Sequence, residues 1–320
     1  MRMPSMLLAM PLFLASCASP PPAASGASVP MAAASPAVTS SDGASAAQAP
    51  VAASSTPAAP PAPPGPVGCG ALGCLLFDSP EQAFAHVLAT SPKVLAIGES
   101  HAQQGSEGIP SATKRFTETF LPMLAGKASD LIVELWTADP RCNQKKVAKV
   151  QEEQKAVTQS QAQENQNEFV TLGHEAKRLG ISPDVLRPSC AEYDTILRAG
   201  PNGIAQMLEM IARLTAEKVK ELLGLKSYVG KLVVAYGGAM HNDLAPAPGR
   251  ESWSFGPDLQ AHTGGKYVEL DIIVREFIRD TDSWKALPWH AHFNRDAHPD
   301  KTVLFNPAPG SFVLIFPRST

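Results

Sequence analysis

A chain of 320 residues with a formal net charge of −3, 44% hydrophobic residues and 18% charged ones is long enough to bury a sizeable core. It carries neither the basic excess nor the motifs of a nucleic-acid binder, so nucleic acid is excluded as an expected partner.

The N-terminus is expected to be a targeting segment. Arg2 precedes a short apolar stretch from Met6 to Leu14, and Leu14-Ala15-Ser16-Cys17 looks like a bacterial lipobox. The stretch is too short to span a bilayer, so residues 1–16 read as a lipoprotein signal peptide and Cys17 as the lipidated anchor. Ala18 in place of Asp favours the outer membrane. From there to Gly68 the chain is Ala/Pro/Ser-rich with Asp42 as its single charge. Such a segment cannot bury enough apolar surface to offset its chain entropy and is expected to be a disordered tether. Residues 69–320 are then one α/β domain with a helical insertion at 143–180.

The domain holds Cys69, Cys74, Cys142 and Cys190. An even count in an exported chain predicts disulfides, with Cys69–Cys74 and Cys142–Cys190 the favoured pairs. Zinc at Cys69 and Cys74 is the sharper alternative, but a second pair at metal-site spacing is missing. Ser79-Pro80-Glu81-Gln82 has the pattern of an N-cap, an N1 proline and a capping box, opening a helix to about Leu88. Val94 to Ile97 predicts a buried strand leading into Gly98-Glu99-Ser100-His101. A polar loop from Ala102 to Ser111, with Gly105 and Gly108, is followed by a helix from about Ala112 to Leu124 and a second strand, Leu131 to Val133, ending on Glu134. Asn143 to Phe169 reads as an exposed helical arm with a thin stripe at Val147, Val150 and Val157. Ile204, Met207, Leu208, Ile211, Leu214, Val219 and Leu222 keep helical spacing and predict a helix from Gly203 to Leu223 packed on the sheet. A third strand, Leu232 to Tyr236, runs into Gly237-Gly238-Ala239-Met240-His241, and Tyr267 to Val274 and Ser311 to Phe316 supply later strands.

Three apolar runs therefore lead into residues that bind metals or move protons. In an open parallel sheet, ligands sit beyond the carboxyl ends of the strands, so Glu99, His101, Glu134 and His241 are expected to meet at one rim. The nearby glycines fit a chain that turns past a ligand by positive φ or a missing Cβ. Asp194, Asp243, Glu269 and Asp271 are secondary rim candidates, with Glu269 and Asp271 on one strand face. Ser100 is a weak nucleophile candidate, because Ala102 replaces the second glycine of a nucleophile elbow. His86 and His174 read as surface residues. Trp289-His290-Ala291-His292 with His298 reads as a surface loop, a second metal or haem site being the sharper alternative.

On Gly98-Glu99-Ser100-His101, Glu134 and Gly238-Ala239-Met240-His241, the domain resembles the superfamily of the Tiki and TraB proteins, the ChaN haem-uptake lipoproteins and the erythromycin esterases. The resemblance implies a three-layer α/β/α fold with a mainly parallel sheet. It also implies a hydrolase of ester or amide bonds in a small molecule or peptide, with His101, His241 and a carboxylate (Glu134 or Glu99) holding Mn, Co or Zn. Glu99 is the expected general base, and a metal-free variant has His101 as base steered by Glu99. The alternative is a non-catalytic haem-uptake lipoprotein using Tyr236, Tyr193 or the C-terminal histidines as axial ligand. A third reading is a scaffold that binds an envelope protein through the 143–169 arm.

Overall fold

Val94, Leu95, Ala96 and Ile97 are each no more than 1% exposed, because both faces of their strand are covered, which is why the run is apolar throughout instead of alternating. The computed structural model describes residues 65–319. The signal segment, Cys17 and the tether up to residue 64 lie outside the described residues.

The α/β domain is built on a nine-stranded sheet. Its parallel part comprises β3 (Val94–Glu99), β4 (Ala128–Trp136), β5 (Ser182–Leu186), β6 (Leu232–Gly238), β7 (Tyr267–Ile273) and β9 (Ser311–Ile315), in the spatial order β9-β7-β3-β6-β4-β5. The sheet is continued antiparallel beyond β9 by β8 (Thr302–Ala308), β2 (Leu75–Phe77) and β1 (Val67–Gly68). On one face pack α1 (Pro80–Leu88), α2 (Ala112–Arg115) and α4 (Asn165–Arg178), sharing a core of Phe84, Phe116, Phe169 and Leu172 with Leu95, Ile97 and Val234. On the other pack α3 (Gln144–Thr158), α5 (Cys190–Arg198), α6 (Gly203–Gly224) and α7 (Gly256–His262), around Met207, Ile211 and Val219. Arg275, 1% exposed, pins the C-terminal segment by donating to the carbonyls of Arg295, Ala297, His298, Lys301 and Phe316.

Several expectations change. Val67 and Gly68 are not tether but the edge strand β1, paired with Leu76 and Leu75. The stretch 112–124 is not one α-helix: α2 gives way to a π turn at Phe116–Phe120 and a 3-10 turn at Leu121–Leu124. There Thr117 donates to the Thr113 carbonyl at 2.8 Å and Pro122 has no N–H to continue the ladder. Strand β4 runs past Glu134 to Trp136.

The arm is two helices, and they do not project. Val147 and Val150 of α3 and Phe169, Leu172 and Ala176 of α4 are buried, so about one buried apolar residue per turn suffices to seat each helix when the rest of its surface is solvated. Strand β5 was missed because it is short and contains Pro183, which an edge strand tolerates.

Both disulfides are present. Cys69–Cys74 has a Cα–Cα distance of 5.0 Å and closes the β1–β2 hairpin, and Cys142–Cys190, at 5.1 Å, ties the start of α3 to α5. The second bridges 48 positions, and the chain-entropy argument gives such a loop about 4 kcal/mol. Cys142→Ser/Cys190→Ser is therefore expected to melt well below the wild type. Alkylation without reduction, followed by mass spectrometry, is expected to leave all four cysteines unlabelled, and labelling of Cys142 and Cys190 would contradict the pairing.

Candidate functional site

Parallel pairing sets the site. Gly98 lies opposite Gly237 and Glu99 opposite Gly238, while Val133, next to Glu134, lies opposite Tyr236. The register thus puts Glu99, Glu134 and the turn carrying His241 at one rim. All four expected residues are there, and Glu99, His101, Glu134 and His241 are 1%, 3%, 4% and 3% exposed.

Glu99 is engaged on both oxygens. Its Oε1 lies 2.5 Å from His101 Nδ1, and its Oε2 accepts from the Thr113 hydroxyl at 2.9 Å and the Tyr236 phenol at 3.0 Å. A carboxylate so occupied is poorly placed to take a proton from water. It instead orients His101 and stabilises its charged form. Burial pushes the His101 pKa down, but the charge and hydrogen bond of Glu99 and the charge of Glu134 outweigh it, and the net shift is upward from 6.5. Burial, with Glu99 second, lifts the Tyr236 phenol well above its ordinary value, so it stays a donor. Phe169 of the insertion sets its ring against His101 in a tilted contact, with centroids 5.9 Å apart.

The second acid–imidazole pair sits across the same rim. Gly238 N–H donates to Glu134 Oε2 at 2.6 Å, while Glu134 Oε1 is buried with no hydrogen-bond donor among the described residues and lies 3.6 Å from His241 Nε2. His241 Nδ1 lies 2.7 Å from the Trp253 carbonyl. That acceptor calls for a proton on Nδ1 and leaves Nε2 facing Glu134. A cavity of about 10 Å³ lies between Glu134, His241, Gly237 and Asn242, roughly the room one water needs. The missing Cβ, not positive φ, explains the glycines. A Cβ at Gly237 would come within 2.9 Å of the Glu134 Cβ, and one at Gly238 would sit 3.4 Å from His101 Nε2 and 3.6 Å from Glu134 Oε2. His101, Glu134 and Gly238 therefore crowd around one point.

A second cavity, of about 280 Å³, opens between the 102–111 loop and the start of α4. It is lined by Ala102, Ser111, Lys114, Glu164 and Glu168 among others, one residue along the chain from His101. Gly108 in its wall and Gly105 earlier in the same loop hold φ of 92° and 84°, which only glycine adopts freely. The Ser111 hydroxyl donates to Glu168, whose carboxyl is raised by burial and, more weakly, by Glu99.

Asp243, Glu269 and Asp271 gather beside this rim, and Glu269 and Asp271 do share a strand face. Among the described residues they are the one group of three or more candidate ligands whose atoms all lie within 4.8 Å of one another. Burial, with help from the neighbouring charges, lifts Asp271 well above the ordinary carboxylate range and Asp243 from 3.8 to about 7. A carboxyl whose folded pKa lies above its unfolded one stabilises the fold while protonated, and that contribution is lost as pH rises from the unfolded value through the folded one. Thermal stability is thus expected to fall as pH rises from 3.8 through about 7. Asp271→Asn, which can still accept from Asn242 Nδ2, is expected to flatten that fall and to melt above the wild type at weakly alkaline pH. A variant melting below the wild type there would contradict the assignment.

The divalent ion implied by resemblance does not fit the rim quartet as arranged. The donor types suit it, and Glu134 with His241 makes a ligand-like pair. However, both Glu99 oxygens are committed to donors, and no three of the four residues share the ligand spacing that the acidic trio has.

Other expected residues lie elsewhere. Asp194 pairs with Lys146 at the surface, and His86, His174, His292 and His298 are exposed. Tyr193 is buried among α3, α5 and α6. Ser100 is half-buried at the end of β3. Sequence reasoning missed Thr113 and Phe169 as partners of the site. Strand alternation from Val234 does place Tyr236 on the Glu99 face.

No family model and no curated protein matches the chain. Among solved structures, the type III effector HopBA1 is similar at 11% identity and a TM-score of 0.35, over 75% of this chain and 94% of that one. A likeness of that degree carries no argument about activity.

Proposed function

We propose that this domain is a hydrolase of ester or amide bonds that works by paired acid–base chemistry. The observation carrying the reading is the buried, donor-less Glu134 Oε1 next to a water-sized cavity, across the rim from an imidazole whose charged form is favoured by Glu99. Glu134 takes a proton from water as the water oxygen attacks the carbonyl carbon, with His241 Nε2 helping to orient that water. His101 gives its proton to the departing alkoxide or amine, so the carbonyl–heteroatom bond breaks without forming a free anion. Glu99, Thr113 and Tyr236 hold His101 in place. Substrate occupies the cavity under the 102–111 loop, whose volume is close to that of small-molecule sites.

The three-layer α/β/α arrangement of the superfamily belongs to this proposal, supported by helices on both faces of the sheet. So does attachment to the outer membrane through Cys17, supported by the lipobox pattern.

Hydrolysis of chromogenic esters and of a peptide library by the purified protein, with elemental analysis and a haem titration of the same sample, tests the reading. Turnover in metal-free protein is expected. Bound metal that is lost together with turnover in His241→Ala would favour the metal-dependent form, and a Soret band with no turnover would favour the haem-uptake alternative.

A further inference from the structure

Strands β7, β3, β6 and β4 are consecutive neighbours in the sheet, and each is entered through a lysine: Lys266, Lys93, Lys231 and Lys127. Their main chains are laced together. Lys93 N donates to Lys266 O at 2.8 Å, Val233 N to Lys93 O at 3.0 Å, and Leu232 N to Lys127 O at 3.0 Å. With strands about 4.8 Å apart, the four stems leave the sheet as a row roughly 15 Å long. All four side chains are exposed. The loop that delivers the chain from α6 to β6 adds exposed Lys226, flanked by Leu225 and Val229 at 45% and 75% exposure. Among the described residues none of these five lysines has a carboxylate within 4.0 Å.

The opposite end of the same strands carries Glu99, Glu134, Asp243 and Asp271. These four strands are therefore basic where they begin and acidic where they end, although the whole chain has a net charge of −3. No helix of the described residues is long and apolar enough to cross a membrane, so any bilayer contact by this end is peripheral.

We propose that this lysine row, with Leu225 and Val229 beside it, is a docking surface for a bilayer containing anionic phospholipid. The five ammonium groups face lipid phosphates, the two apolar side chains enter the interface, and the acidic rim is turned toward the aqueous side. The inference does not depend on the hydrolase reading. A lysine close to such a surface contributes about a fivefold gain in partitioning, and salt screens it.

The test uses the full chain carrying Cys17→Ser, so that no acyl chain masks the effect. The chain is sedimented with vesicles of phosphatidylcholine alone or with phosphatidylglycerol added. Expected are binding to the anionic vesicles at low salt, its loss at high salt, and about 25-fold weaker partitioning for Lys93→Gln/Lys231→Gln. Lys145→Gln/Lys177→Gln, which removes two exposed lysines of the helical insertion, is expected to bind like the parent. Equal sedimentation with both vesicle types overturns the proposal. So does unchanged binding of Lys93→Gln/Lys231→Gln, or an equal loss in the Lys145/Lys177 pair.

Discussion

Glu134→Gln and His101→Ala are each expected to lower ester or amide turnover by about 10²–10⁴, the range for loss of a positioned acid or base. The double variant is expected to be little worse than either, because residues that act on one event are not additive. Glutamine at 134 can still accept from Gly238 N–H, so the melting temperature is expected to stay near the wild-type value.

The pH profile separates the roles. Acting as an acid, His101 must be protonated, and the alkaline limb then reports a pKa above 6.5. Glu99→Gln removes the charge that raises this pKa and leaves burial, which lowers it, so the limb is expected to move to lower pH. Movement of the acid limb instead would identify His101 as the base, as in the metal-free scheme considered from sequence. Unchanged turnover in Glu134→Gln and His101→Ala would mean that the four residues are architectural.

Gly98→Ala is expected to be among the most destabilising small substitutions in the domain. The added Cβ would lie 2.7 Å from the Ala239 Cα and 2.5 Å from Asn242 Oδ1, and main chain on a packed turn cannot yield as the end of a flexible side chain can. Overpacking of this kind costs about 1–3 kcal/mol, or a melting temperature lower by roughly 2–12 °C in a domain of this size. Ala239 belongs to the turn between Gly238 and His241, so activity is expected to fall as well. Gly224→Ala is the control, since no atom lies within 4 Å of its Cβ position and its φ is not positive; it is expected to be neutral or mildly stabilising. A Gly98→Ala protein that melts with the wild type would show that the β3 end and the β6–His241 turn are looser than described.

The parallel core was legible because burial on both strand faces leaves continuous apolar runs, as at Val94–Ile97 and Leu232–Tyr236. The same runs located Glu99, His101, Glu134 and His241, since an apolar strand that stops at a carboxylate or imidazole marks the sheet rim. Cysteine parity and spacing favoured Cys69–Cys74 and Cys142–Cys190 among the possible pairings, and the fold brings both pairs together. Composition could not show that Asn143–Phe169 packs down on the sheet, because one buried residue per turn is enough to seat a helix and the rest of its surface looks like that of a projecting arm. Nor could it show the partners of Glu99. Thr113, Tyr236 and His101 reach its two oxygens from a helix, another strand and the following loop, and this long-range pairing is what supports a positioning role for Glu99 in the proposed scheme. The lysine row has the same origin: the four residues are scattered along the chain from Lys93 to Lys266, and only strand order, a product of core packing, makes them neighbours.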